Sequence, residues 1–253
     1  MMTTTSHENW LRGATALVTG GGSGIGLGVA TALAREGCRV VITGRDSAKL
    51  ERAAAEITAA VGGDVLPQPC DVADREAVGR LVAWMEAEVG PPAIVVNSAG
   101  INVARRSMAE LDPADFDRLV AVNLTGLFNV LQAVLPGMRA RHDGLVVSIA
   151  SIAGKRALPL AGPGYCASKF GAAGLAATVG LEELPHGIRI TSIHPGEVDT
   201  PILDQRPEPV PAERRKVMVH PEDIAACVLM LAKLPRHVVV PELVITPTYQ
   251  AFA

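Results

Sequence analysis

The sequence predicts an α/β fold: a doubly wound, mostly parallel sheet of seven strands with helices on both faces. Three observations predict it. Short apolar runs alternate with helix-length segments along almost the whole chain. These runs are near-continuous in aliphatic residues, as strands covered on both faces read. The first run ends in a glycine-rich turn that leads straight into a helical segment, and repeated strand–helix units of this kind build a parallel sheet.

The elements follow in order. Residues 14–19 (ATALVT) form the first predicted strand, and 24–36 have helical spacing after the glycines. Residues 39–43 (RVVIT) are β-branched and strand-like, whereas 47–60 are rich in Ala, Glu and Lys and helical. The strand signal repeats at 65–69, 93–97 and 145–149, with helices over 75–89 and 113–141 between. A helix after Pro163, a strand at 188–193, a helix at 221–234 and a last strand at 243–245 complete the pattern. The strands connect by right-handed crossovers. With no internal repeat, linker or composition break, residues 1–253 read as one domain. The irregular segment 201–216, with four prolines and charges of both signs, reads as a loop over the sheet. It serves either as a substrate lid or as a solvated connector.

Composition narrows the function classes. Half the residues are hydrophobic, so a core forms without disulfides or metals, and scarce aromatics leave it to Val, Ile, Leu and Ala. A net charge of −3, without a Lys/Arg block, offers no general attraction for nucleic acid. The opening MMTTTSHENW lacks the basic-then-apolar pattern of a secretory signal, and no stretch of about 18 apolar residues predicts a membrane span. Four scattered cysteines without a CxxC pair fit a reducing compartment, and the cytoplasm is the expected location. Cys166 is expected to be a packing residue. His186 and His194 lack a third ligand at metal spacing, so no metal is expected.

Thr19-Gly20-Gly21-Gly22-Ser23-Gly24-Ile25-Gly26 stands at the first strand–helix junction. Glycines there let backbone N–H groups approach a pyrophosphate, and the helix N-terminus adds partial positive charge. A dinucleotide site on a Rossmann-type domain is the functional reading; an ordinary tight turn is the bland one. The second strand ends in Gly44-Arg45-Asp46. Gly44 stands where an acid would bind the ribose 2′-hydroxyl of NAD, and Arg45 is suited to clamp the 2′-phosphate of NADP. Asp46 competes as the acid, but it also sits where a helix N-cap belongs. The balance favours NADP over NAD.

Tyr165 and Lys169 lie four apart on a predicted helix, hence on one face. An ammonium beside a phenol favours the phenolate, so the expectation is a lowered Tyr165 pKa and proton exchange near neutral pH. The bland reading is a surface pair. Ser151, fourteen positions upstream at the end of a predicted strand, supplies a hydroxyl for a substrate oxygen.

Taken together, these residues resemble the short-chain dehydrogenase/reductase family over nearly the whole chain. The marks are TGGGSGIG at 19–26, Asp71-Val72, Asn97-Ser98-Ala99-Gly100, Asn123, Ser151, YCASK at 165–169, and Pro195-Gly196 with Val198 and Thr200. The resemblance implies a nicotinamide-dependent oxidoreductase acting on a carbonyl or alcohol. Gly20, Ser23, Gly24, Ile25 and Gly26 would cradle the pyrophosphate, and Asp71 and Val72 would bound the adenine. Asn97, Ala99 and Gly100 would border the cofactor, with Asn97 bracing the sheet. Ser151 would polarise the carbonyl, Tyr165 would move its proton, and Lys169 would also hold the nicotinamide ribose. Asn123 would keep a relay water. Val198 and Thr200 would grip the carboxamide, and Pro195 and Gly196 would border the cofactor. Dimers or tetramers are implied as well, and the small-residue run 170–181 suits close helix packing.

Ser98 and Ser148 replace asparagines common in the family, which alters hydrogen bonding without removing chemistry. The C-terminus lacks the Asp-Gly-Gly ending of ketoacyl reductases, which counts against fatty-acid synthesis. An idle redox sensor on the same fold would lack Ser, Tyr or Lys, and all three are present. The substrate pocket is expected from 152–164, Glu197 and 201–216. Its first stretch is largely apolar apart from Lys155 and Arg156, which either attract a carboxylate or face water.

Overall fold

The computed structural model describes residues 10–252. The N-terminal segment, where the sequence shows no signal pattern, lies mostly outside them. Strands β1 (Thr15–Thr19), β2 (Arg39–Gly44), β3 (Val65–Pro69), β4 (Ile94–Asn97), β5 (Gly144–Ile149), β6 (Ile188–Pro195) and β7 (Glu242–Ile245) form one sheet. Its order is β3-β2-β1-β4-β5-β6-β7, and every pairing is parallel. The direction of winding reverses between β1 and β4. In open parallel sheets that reversal opens a crevice at the carboxyl ends of the strands, where ligands bind.

Helices α1 (Gly24–Arg35), α2 (Ser47–Val61) and α3 (Arg75–Glu88) follow the first three strands. The Asp46 side chain accepts from the Lys49 amide at 2.9 Å, and Asp74 accepts from Ala77 at 3.0 Å, so α2 and α3 both begin with a side-chain cap. Strand alternation then assigns the core. Val18, Ile42, Val96 and Val147 pack on one face beneath α1, α2 and the C-terminal helix α8 (Pro221–Lys233). Leu17, Val41, Val95 and Val146 pack on the other, against helices that include α3. The five inner strands are therefore covered on both sides, as their unbroken apolar runs require, while the edge strands β3 and β7 are partly exposed.

Between β4 and β5 the sequence predicts one helix over 113–141. The structure divides it into α4 (Pro113–Val120), a π turn (Ala121–Thr125) and α5 (Gly126–Arg141). Single π turns inside helices recur at functional sites, and this one carries Asn123. By length and hydropathy alone the span Pro113–Arg141 could cross a membrane, contrary to the sequence expectation. Leu127, Val130, Leu131, Val134 and Met138, however, are buried against the sheet. These features are those of a core helix.

Helix α6 (Pro163–Glu183) carries Tyr165 and Lys169 along the same face of the sheet. Beyond β6, the Asp199 amide donates to Val219 and the Val219 amide donates to Glu197, closing a bridge between Val198 and Val219. That bridge pins the base of the predicted loop. Above it stand a 3-10 turn (Pro201–Gln205) and the short helix α7 (Ala212–Arg215).

Candidate active site

Two cavities meet at the carboxyl edge of the sheet, one of about 590 Å³ and one of about 450 Å³. Gly20, Ser23, Arg45, Gly100 and Ile101 border both. Together the two cavities make one elongated groove with the glycine turn at its waist.

The turn has its shape because it has no side chains. A Cβ on Gly26 would stand 2.3 Å from the Gly20 carbonyl oxygen, so only glycine lets α1 begin this close to β1. Ser23 caps α1 in an extended conformation, and its side chain makes no capping bond. Gly20, Ser23, Gly24 and Ile25 line the groove, whereas Gly26 is buried behind them. The Thr19 hydroxyl accepts from the Ser98 and Ala99 amides and donates to Asn97 Oδ1 at 3.1 Å. Asn97 therefore joins β1 to β4 from beneath and does not reach the groove, which fits a bracing residue. Gly26→Ala is expected to lower the melting temperature by several degrees and to weaken dinucleotide binding at least tenfold, as overpacking against backbone costs about 1–3 kcal/mol. Calorimetry and cofactor fluorescence titration check both.

The smaller lobe is bordered by Arg45, Asp46, Lys49, Asp71, Val72 and Ala99. Asp46 is committed to capping α2. Arg45 and Lys49 are both exposed at its rim. Sequence reasoning missed Lys49, although a lysine one turn into the helix after Arg45 was the available signal. Asp71 Oδ1 accepts from the Ala73 amide at 3.0 Å, which fixes the turn leading to α3.

The larger lobe holds Ser151, Tyr165 and Lys169, with Pro195, Gly196, Val198 and Thr200 opposite. Ser151 Oγ accepts from the Ala153 amide at 3.1 Å, and its hydroxyl donates towards the Tyr165 oxygen. Its backbone oxygen lies 3.1 Å from Nδ1 of the fully buried His194. Burial lowers the His194 pKa, so the ring is neutral and Nδ1 is the donor. A histidine that the sequence gives no role thus positions the strand end that presents Ser151.

Lys169 is buried, and its Nζ donates to the Ile149 carbonyl at 2.9 Å while lying 5.7 Å from the centre of the Tyr165 ring. Burial lowers its pKa to about 8. The expectation of a lowered Tyr165 pKa is overturned: burial raises it to about 12, with the Cys166 thiol adding to the rise. Hydrogen bonding from Ser151 and the Arg106 charge pull the other way without prevailing. Desolvation of an anion outweighs the nearby charges here, so the phenol keeps its proton. By exposed area the residue is only half-buried, facing the open groove, which limits that rise.

Asn123 stands behind the wall rather than on it. Oδ1 accepts from the Ile101 amide at 2.8 Å, while Nδ2 donates to the Ile101 carbonyl and to Ser168 Oγ, both at 3.0 Å. Ser168 in turn donates to the Tyr165 carbonyl at 2.8 Å. The amide therefore links the loop after β4 to the first turn of α6.

The expected substrate wall is partly corrected. Ile152, Ala153, Leu158, Leu160 and Ala161 line it, as do Glu197 and loop residues 201–203, 205 and 206. Lys155 pairs with Glu242 at 2.6 Å, and Arg156 donates to the Ala251 carbonyl and stacks over Phe252. Neither lines the groove. Glu197 meets neither substrate space alone nor water: Arg206, Arg214 and the Tyr249 hydroxyl all donate to it at 2.7–3.0 Å. Burial alone would raise its pKa, but these donors hold the carboxylate below its ordinary value. It ties segment 201–216 to the C-terminal tail. Asn102, Arg106 and Gln250 also border the lobe and were missed, because long-range packing alone brings them there.

The model of the family described as short chain dehydrogenase matches residues 14–210. Glycine betaine reductase ATRR of Emericella nidulans is 37% identical over 246 residues, covering 94% of this chain. This chain spans only 19% of that relative's length. An uncharacterized oxidoreductase of Staphylococcus aureus (strain USA300) is 36% identical, with 92% of this chain and 96% of the relative covered. Among solved structures, an alcohol dehydrogenase of the archaeon Thermococcus sibiricus, complexed with 5-hydroxy-NADP, superposes with a TM-score of 0.84. It is 32% identical, covering 95% of this chain and 99% of that one. With the family match spanning most of its length, the chain belongs to the short-chain dehydrogenase/reductase family and is an NAD(P)-dependent oxidoreductase.

Proposed function

We propose that this protein interconverts a ketone or aldehyde and an alcohol with NADP as its cofactor. One observation carries the reading: Ser151, Tyr165 and Lys169 border the same lobe of a groove whose waist is the glycine turn. The turn, with no side chain filling it, fits a pyrophosphate. Asp71 and Val72 bound the end where an adenine would lie, and Pro195, Gly196, Val198 and Thr200 the end where a nicotinamide would lie.

Bound NADPH supplies the hydride. Tyr165, held protonated by burial, donates its phenolic proton to the carbonyl oxygen. Ser151 donates a hydrogen bond to that oxygen, since its own acceptor side is engaged by Ala153. The Lys169 ammonium stabilises the phenolate left behind. The Asn123 side chain acts by positioning, holding the loop after β4 and the first turn of α6. The relay water implied for this residue is therefore not assigned to its amide donors.

NADP is favoured over NAD by three features of the smaller lobe. Gly44 presents no carboxylate, Asp46 is committed as a helix cap, and Arg45 and Lys49 are both free to meet a phosphate. Reduction of a panel of ketones, aldehydes and oxo acids, followed by loss of nicotinamide absorbance, tests the activity. The kcat/KM ratio for NADPH over NADH tests the cofactor. Arg45→Ala is expected to lower that ratio about tenfold to a hundredfold, the worth of a charge-assisted hydrogen bond. A wild-type preference for NADH would overturn the assignment.

The proposal extends to one domain acting in the cytoplasm, supported by the four unpaired cysteines. Segment 201–216 is the substrate lid, hinged on the Val198–Val219 bridge. Exposed Phe128, Phe170 and Leu181 on α5 and α6 support a homodimer or homotetramer, which sedimentation measures directly.

A further inference from the structure

Arg106 is a cation in the larger lobe without a charge partner among the described residues. It stands in the loop between β4 and α4, lines the lobe together with Tyr165, and is only 8% exposed. Its Nη1 and Nη2 donate to the carbonyl oxygens of Leu160 and Gln205, which are neutral acceptors. Its buried Nε has no hydrogen-bond partner. Of the neighbouring cations, Arg118 pairs with Asp115 at 2.8 Å and Arg206 shares Glu197 with Arg214, while Lys169 donates to the Ile149 carbonyl.

The fold makes room for this side chain. A Cβ on Gly162 would stand 2.5 Å from the Arg106 carbonyl oxygen and 2.8 Å from its Cβ, and Gly162 has φ +83°. A buried charge normally either neutralises or finds a partner. A guanidinium cannot neutralise at physiological pH, so this one lacks what a substrate could bring. The planar edge of a guanidinium suits a carboxylate.

We propose that Arg106 binds the carboxylate of the substrate, so that the compound reduced is an oxo acid. The inference rests on the carbonyl-reductase reading above and names its substrate class. In the reaction the carbonyl carbon takes the hydride from the cofactor and the carbonyl oxygen takes the proton from Tyr165. The oxo acid becomes a hydroxy acid, and the carboxylate passes through unchanged as a handle.

The test uses butyrate and butyramide, matched in size, titrated against the full-length protein with and without NADP by ligand-observed NMR. Acetoacetate and acetoacetamide serve as the kinetic pair. The expected result is butyrate binding about tenfold to a hundredfold more tightly than butyramide, with acetoacetate preferred to its amide by a similar factor. Arg106→Gln should abolish the preference, lowering reduction of acetoacetate more than that of neutral ketones. Arg106→Lys, which keeps the charge but loses the Nε–H, should retain part of it. Equal binding of the two probes to the wild type overturns the proposal even if neither variant folds. So does a preference that survives Arg106→Gln intact, or an equal fall with neutral and acidic substrates, which would mark Arg106 as a strut between Leu160 and Gln205. If butyrate binds selectively and no carbonyl compound is reduced, the anion site stands and the carbonyl-reductase reading fails. If neutral ketones are reduced without any carboxylate preference, the carbonyl-reductase reading stands and the anion site fails.

Discussion

Tyr165→Phe is expected to lower the rate of carbonyl reduction by about 10²–10⁴, the usual contribution of a positioned general acid. Affinity for NADPH should be unchanged. The substitution removes one oxygen and keeps the ring that borders the lobe beside Lys169. Ser151 cannot take over as the acid, because an alcohol is far too weak to give up its proton. Burial pushes the Tyr165 pKa to about 12, so loss of the phenolic proton should not limit reduction near neutral pH. Stopped-flow absorbance with cofactor pre-bound separates the chemical step from binding. A rate near that of the wild type would remove Tyr165 from the mechanism.

Lys169→Met is expected to split stability from function. The ammonium is buried, and burial lowers its pKa from 10.5 to about 8. Between those values the unfolded chain binds more protons than the folded one, so wild-type stability rises with pH across that window. Below about pH 8 the folded state carries the full cost of a buried charge. A methionine of similar length carries none, though it leaves the Ile149 carbonyl without its donor. The net expectation is a gain of about 1–3 kcal/mol at pH 7, at about 1.36 kcal/mol per pKa unit less about 1 for the lost hydrogen bond. The melting temperature should rise by roughly 2–4 °C per kcal/mol, while reduction falls at least a hundredfold. The difference from wild type should shrink as pH climbs from 8 towards 10.5. A less stable variant at pH 7, or a gap that widens with pH, would contradict the assignment. Active sites commonly hold strain of this kind at the expense of stability.

The elements that depend on local pattern were legible. Alternation of apolar runs and helical segments located all seven strands to within a residue or two, and the five inner strands are buried on both faces. The glycine turn was legible because its constraint lies between Gly20 and Gly26, within one turn of chain. The π turn was not, since apolar spacing runs unbroken through 113–141 and the insertion answers to Asn123 bonding Ile101 across space. Arg106 and Gln250 reach the groove through contacts with Gln205 and Glu197, 99 and 53 positions away, which no window of sequence contains. The Tyr165 pKa went the wrong way for a related reason. The spacing to Lys169 gives a nearby charge, but the larger effect is burial, and burial belongs to the folded chain.

The central claim is that one groove delivers hydride from the cofactor and a proton from Tyr165 to the same carbonyl. It is tested most directly by isotope tracing with NADPH deuterated on each face of the reactive ring carbon in turn. The wild type should place deuterium from one face only on the carbinol carbon of the product, with the hydroxyl hydrogen drawn from solvent, and Tyr165→Phe should form almost no labelled alcohol. Unlabelled product from both cofactors, or labelled alcohol formed equally well without the Tyr165 hydroxyl, would contradict it.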